Sequence, residues 1–125
     1  MIVMPQTPPV PADIPGVAHS TWAGADDGLT QLSVWRQTLA PGAATPPHSH
    51  DCDEVVMCQA GRGEVHMDGE VHRFGAGSNL VLRRGPVHQI FNTGDVPMEI
   101  VGVFGATPVQ TLLPDGQPLP LPWRT

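Results

Sequence analysis

The apolar residues of this chain fall in short runs of period-two character, separated by turn-forming residues. Side chains alternate faces along a strand with period two, so the pattern predicts strands rather than helices. Leu29 to Leu39 alternates loosely and reads as a strand that Ala40-Pro41-Gly42 breaks. His48 to Ala60 reads as another. Within it Val55 and Met57 oppose Val56 and Cys58, so both faces are apolar and burial on both sides is expected. A cover for the outer face is then needed, and a homodimer is the expectation. Glu64 to Met67 and Glu70 to Phe74 flank Asp68-Gly69, a hairpin signal. Leu80 to Leu82, His88 to Asn92 and Met98 to Phe104 are further strands.

The ends read differently. Pro5, Pro8, Pro9, Pro11 and Pro15 crowd the start, and Pro114, Pro118, Pro120 and Pro122 the finish. Proline fixes φ and removes a donor, so both ends are expected to be extended. The pattern divides the chain into an N-terminal arm over residues 1–28, one strand-rich domain over 29–110 and a Pro-rich tail over 111–125. Trp123, near the end of that tail, is expected to dock on its own barrel or on a partner.

Composition supports an all-β reading. The chain has 125 residues, with 14 glycines and 15 prolines. That density suits many turns and would disrupt long helices. No apolar stretch approaches the roughly eighteen residues of a membrane span, so no membrane partner is expected. The first residues lack the basic and long apolar regions of a secretory signal, and a cytoplasmic location is the expectation. The net charge is −6, and the arginines are scattered. No basic stripe exists to neutralise phosphates, so no nucleic-acid partner is expected. Two cysteines, Cys52 and Cys58, are expected to be free thiols. The chain has no lysine and no tyrosine. That excludes a Schiff-base mechanism and a tyrosyl acid or base.

The chemistry concentrates in two places. His48 and His50 are two residues apart, so both rings point to one side of a strand. Glu54 joins that face if the strand continues, or through a bend at Asp51-Cys52-Asp53. His88 lies far along the chain and joins them only if the fold returns its strand alongside. Three imidazole nitrogens and a carboxylate oxygen make a mixed ligand set for a first-row divalent metal.

These residues carry a resemblance. Gly42, His48, His50, Glu54 and Gly61 fall in the spacing G-x5-H-x-H-x3-E-x6-G, the first motif of the cupins. Gly77, Gly85, His88 and Asn92 fall in the second, G-x5-P-x-G-x2-H-x3-N, with Arg83 where that family has proline. The resemblance implies a small antiparallel β-barrel of jelly-roll type with a metal inside one end. It implies His48, His50, Glu54 and His88 as ligands of one divalent transition metal per chain: iron, manganese, nickel, copper or zinc.

Around that centre, Val56, Cys58 and Ile90 are expected to line an apolar cavity, and Asn92 to support the site or its neighbouring turn. Arg36, Gln37, Arg62 and His66 are candidate contacts for a small-molecule substrate. The sequence leaves open which of Arg36 and Gln37 faces inward, and the bland reading of His66 and His72 is a solvated strand. His19 reads as a surface residue. Cys52, between two aspartates, should hold its proton. No catalytic residue beyond the ligands is assigned. Three activities follow: a metal-dependent dioxygenase on a small enol, phenol or carboxylate; a non-redox isomerase or lyase of a sugar-derived or keto acid; or a non-catalytic barrel that binds a small ligand.

Overall fold

The computed structural model describes residues 2–125. The described residues fold as eleven antiparallel strands with a single 3-10 turn, Ala25–Asp27. They are β1 (Val10–Ile14), β2 (Val17–Ala23), β3 (Ser33–Leu39), β4 (Ser49–His50), β5 (Glu54–Ala60), β6 (Arg62–Met67), β7 (Glu70–Gly75), β8 (Asn79–Leu82), β9 (His88–Asn92), β10 (Met98–Phe104) and β11 (Thr111–Leu112). One sheet has the order β1-β2-β3-β10-β5-β8, a second has the order β7-β6-β9, and β4 pairs with β11. Val17, Leu39, Val56, Cys58, Leu80, Leu82, Met98 and Ile100 from the first sheet pack on Val65 and Ile90 from the second. The core therefore lies between the two sheets, in the manner of a jelly roll.

Alternation decides what faces in. Along β10, Met98, Ile100, Gly102 and Phe104 are buried, and the residues between them are half-buried. Along β3, Ser33, Trp35 and Leu39 are buried, and Gln37 shares their face. Asp68 and Gly69 take φ of 55° and 74°. Both central residues are thus left-handed, as a type I′ hairpin requires, and β6 and β7 pair on either side.

Three expectations change. Residues 10–23, read as part of an arm, form two strands of the larger sheet, and Val17 and His19 are buried. Pro11 is tolerated because β1 is an edge strand. The run from Leu29 begins its strand only at Ser33, since Gly28 turns the chain at φ 87° and Leu29 and Leu32 are exposed. The run from His48 to Ala60 splits at Asp51–Asp53, where Cys52 turns into a second core cluster with Trp35, Phe104 and Val109. The two aspartates face neighbouring loops: Asp51 Oδ1 accepts from Gln110 N–H and Asp53 Oδ1 from Arg84 N–H. On the outer face of β5, Val55 is exposed and Met57 half-buried.

Candidate metal centre

The barrel pairs distant segments at one end. His48 and His88 face each other through an isolated bridge, with backbone bonds in both directions. β4 adds His50, and Glu54 opens β5 beyond the bend. One ring nitrogen from each of His48, His50 and His88 lies within 4.8 Å of the other two, and these three side chains could hold a metal ion. Glu54 Oε1 sits 3.5 Å from His50 Nε2 and 3.4 Å from His88 Nε2. Atoms about 2.1 Å from a common ion are separated by about 3.0 to 3.4 Å at octahedral to tetrahedral angles. Gly102 faces this carboxylate from β10. A Cβ there would come within 3.0 Å of the Phe104 ring and 3.6 Å of Glu54 Oε2, so a side chain would crowd both.

The hydrogen bonds leave the inward atoms free. His48 Nδ1 donates to the Pro46 carbonyl at 2.6 Å, which leaves its Nε2 as a lone-pair donor. His50 Nδ1 lies 3.0 Å from Thr111 Oγ1. Outward partners of this kind orient metal-binding imidazoles. Glu54 Oε1 and both ring nitrogens of His88 are buried without a hydrogen-bond partner. A buried carboxylate facing neutral rings is costly unless a cation joins them. Burial, and then the neighbouring imidazoles, lower His48 to a pKa of about 4. Burial and then His88 lower His50 to about 4. Both are neutral at pH 7, the protonation state that a metal needs. The residues therefore fit a divalent transition metal.

The cluster opens on a cavity of about 50 Å³. Its walls include Val17, Trp35, Val56, Ile90, Ile100 and Phe104. Thr45 Oγ1 and Thr111 Oγ1 are engaged with Ile90 N–H and His50, and Gln37 bonds His19 through Nε2, which leaves Gln37 Oε1 without a side-chain donor. Among the described residues no lysine or arginine lines it. The C-terminal segment closes one side through Leu119, Leu121 and Trp123. Trp123 thus docks on its own barrel, stacked on His19 at 3.9 Å and edge-on to Trp35 at 5.6 Å. His19 is buried rather than at the surface, and burial, followed by the nearby Arg124, lowers its pKa to about 4.

The remaining sequence candidates divide. Val56 and Ile90 line the cavity, and of Arg36 and Gln37 it is Gln37 that does so. Asn92 does not: its amide donates to the carbonyls of Leu39 and Val96 and accepts from Gly94 N–H, so it fixes the turn after β9. It shares the face of His88 but lies four residues on, about 13 Å along a strand. Cys58 stands in the same relation to Glu54, and is packed in the core with its thiol toward the Ala60 carbonyl. Arg36 alternates to the outer face, paired with Glu99 and lying over Trp22. Arg62 is exposed at the start of β6, and His66 points outward against Glu64 and Phe91. None of these three lines the cavity. Arg83 and Arg84 are exposed in a bend. Cys52 and Cys58 are free thiols. Burial first, then the adjacent acids, pushes Cys52 up to about 11, and burial pushes Cys58 up as well. Neither is poised as a thiolate ligand. Sequence reasoning missed Trp35, Thr111, Leu119 and Leu121 in the cavity wall. Leu119, Leu121 and Trp123 alternate with Pro120 and Pro122, a period-two signal hidden among prolines.

Comparison with known proteins agrees with this architecture. A family model described as Cupin domain matches residues 35–104. The auxin-binding protein T92 of Nicotiana tabacum is 30% identical over 117 residues, covering 84% of this chain and 63% of that protein. The chain thus spans less than two thirds of that relative's length. The polyketide cyclase RemF from Streptomyces resistomycificus matches in fold with a TM-score of 0.68 at 20% identity, covering 86% of this chain and 84% of that chain. An oxalate oxidase solved in complex with glycolate matches with a TM-score of 0.67 at 25% identity, over 81% and 57%.

Proposed function

The chain belongs to the cupin family, and we propose that it is a metal-dependent enzyme of the dioxygenase type. Its substrate is a small, largely apolar molecule that bears a chelating oxygen group. One observation carries this reading. Among the described residues, the cavity lining holds no ionisable group apart from the four converging side chains. Acid–base chemistry by a separate side chain is therefore unsupported, and the reactivity falls to the centre itself. The absence of a cationic side chain also argues against a sugar phosphate as substrate. An isomerase or lyase reading is weakened on both counts.

His48, His50, Glu54 and His88 would hold the ion, one per chain. When bound, iron, manganese, nickel or copper supplies redox chemistry toward dioxygen, whereas zinc supplies Lewis acidity alone. The chain's own contribution is orientation and exclusion. The Pro46 carbonyl and Thr111 fix two imidazoles, Gln37 offers a polar contact, and the aromatic and aliphatic walls keep water from the substrate. In this reading the ligand set, not a free acid or base, is the catalytic machinery. Dioxygen uptake by metal-loaded protein with a panel of small enols, phenols and carboxylates tests it. Uptake that depends on His88 supports the proposal, and no uptake with any redox metal counts against it.

A second reading has its own support. The C-terminal segment walls one side of the cavity, whose volume of about 50 Å³ leaves room for roughly three to five water molecules at ~10–15 Å³ each. A narrow, largely apolar pocket of this kind suits a binding barrel, and an auxin-binding protein stands among the relatives. Saturable binding of a small acid without turnover would favour it.

The homodimer is part of the same proposal. Val34, Val103, Val55 and Val81 are in register across four strands on the outer face of the larger sheet. A second copy is the cover we assign to them. We also place the protein in the cytoplasm, a reading that its two free thiols support.

A further inference from the structure

A chain of hydrogen bonds links the C-terminal segment to the cavity through His19. Thr21 Oγ1 lies 2.7 Å from the Arg124 carbonyl oxygen, which can only accept, so the hydroxyl proton is committed there. His19 Nε2 lies 2.7 Å from the same Thr21 oxygen. With the hydroxyl proton spent, His19 Nε2 must be the donor. On a neutral ring this leaves Nδ1 as an acceptor, and Gln37 Nε2 lies 3.0 Å from it. The order is therefore fixed from one end: Gln37 N–H to His19 Nδ1, His19 Nε2–H to Thr21 Oγ1, Thr21 O–H to Arg124 O. Reversing the Gln37 amide would set its oxygen against a ring nitrogen without a proton.

The segment that starts this chain is well held. Arg124 Nη1 donates to Asp27 Oδ2 at 3.1 Å and its Nη2 to the Thr21 carbonyl at 3.0 Å. Thr107 Oγ1 donates to the Thr125 carbonyl at 3.0 Å. Trp123 stacks on the His19 ring, and Trp35 meets that ring edge-on at 5.4 Å. The ring is clamped by the same segment that supplies the terminal acceptor. Its lowered pKa, caused first by burial, keeps it neutral at pH 7, which the one-proton argument requires. Among the described residues, Gln37 Oε1 accepts no side-chain hydrogen bond.

We infer that His19 is a positioning residue that couples docking of the C-terminal segment to the donor–acceptor pattern of the cavity. It holds the Gln37 amide with its nitrogen outward and its oxygen free. The group that Gln37 Oε1 recognises is then a donor, a hydroxyl or N–H of the ligand. This rests on the reading that Gln37 faces a small-molecule ligand, but the relay itself is testable without one.

The test is long-range proton–nitrogen correlation NMR on full-length, nitrogen-15-labelled protein loaded with zinc. In the wild type, His19 is expected to show a protonated Nε2 and an unprotonated Nδ1. Thr21→Val removes the hydroxyl at nearly constant shape. It is expected to mix the two His19 tautomers and to shift the Gln37 side-chain amide signals, while Thr21→Ser restores both. A wild-type His19 protonated at Nδ1 overturns the inference, and so does a Gln37 amide signal that Thr21→Val leaves unmoved. If Thr21→Val does not fold, the wild-type tautomer alone decides. Zinc content is read on the same sample. Missing zinc with the relay intact would count against the metal centre and not against the relay.

Discussion

Strands β5, β9 and β10 each run from the histidine end of the barrel to its packed end, and each changes chemistry on the way. β5 passes from Glu54 through Val56 to Cys58, β9 from His88 through Ile90 to Asn92, and β10 from Phe104 through Ile100 to Met98. All nine side chains share the inner face and all are buried. At the packed end the polar groups are satisfied: Asn92 has three hydrogen bonds and the Cys58 thiol points to a carbonyl. At the histidine end Glu54 Oε1 and both His88 nitrogens have no partner. Burial is equal, so burial does not identify the site. Unsatisfied polar atoms at equal burial do, because each is costly unless something outside the chain meets it.

The sharpest way to break this comparison is to damage each end separately. Leu39 is fully buried at the packed end. Leu39→Ala is expected to cost about 2–5 kcal/mol of unfolding free energy, read by urea denaturation, and to leave metal stoichiometry in the folded fraction unchanged. His50→Ala is expected to do the reverse. It should lower metal affinity at least tenfold, about 1.4 kcal/mol, with little loss of stability in the metal-free protein. A packed-end variant that loses metal, or a histidine variant that keeps it, would erase the distinction.

Asn92 tests the same contrast with a polar side chain. Asn92→Ala leaves the buried carbonyl of Leu39 without its amide donor and should cost about 1–3 kcal/mol. Metal content should not change. If Asn92→Ala lowers metal affinity tenfold, it supports the centre after all, and its assignment to the turn is wrong.

Acid should separate the ends as well. His19, His48 and His50 titrate near 4 when folded, against 6.5 for an ordinary histidine. Between these values the unfolded chain binds more protons, so stability of the metal-free protein falls as pH drops from 6.5 toward 4 and levels off below it. Thermal midpoints of the metal-free protein across this window check the sign. A midpoint that rises on acidification contradicts the buried, neutral imidazoles. Cys58→Ser carries the smallest expected effect on the site: metal content stays unchanged, and loss of metal would restore the cysteine to the cavity.

How much of this was legible in the sequence follows from the length scale of each signal. The spacing of His48, His50 and Glu54 is local, and so is the Asp68-Gly69 hairpin, and both read directly. His88 needed the resemblance, because only the fold returns it to His48. Cys58 misled, and Asn92 stayed open between site and turn, for one reason. A period-two rule gives the face and not the depth, and four residues along a strand is about 13 Å. β1 and β2 were hidden by proline density and by the short side chains of Ala18 and Ser20, which blur the alternation of Val17, His19 and Thr21. The cavity wall at Leu119, Leu121 and Trp123 was hidden because prolines interrupt it and because Trp123 meets His19 and Trp35 from the far end of the sequence. Arg36 and Gln37 could not be separated without the register of β3, which pairing with β2 and β10 sets.

The most direct test of the central claim is metal content, by mass spectrometry, of protein purified without chelators or a nickel-leaching tag, alongside His50→Ala. The account predicts close to one transition metal per wild-type chain and a large loss in the variant. Wild-type protein that carries no metal, and takes up none of iron, manganese, nickel, copper or zinc on reloading, would contradict it.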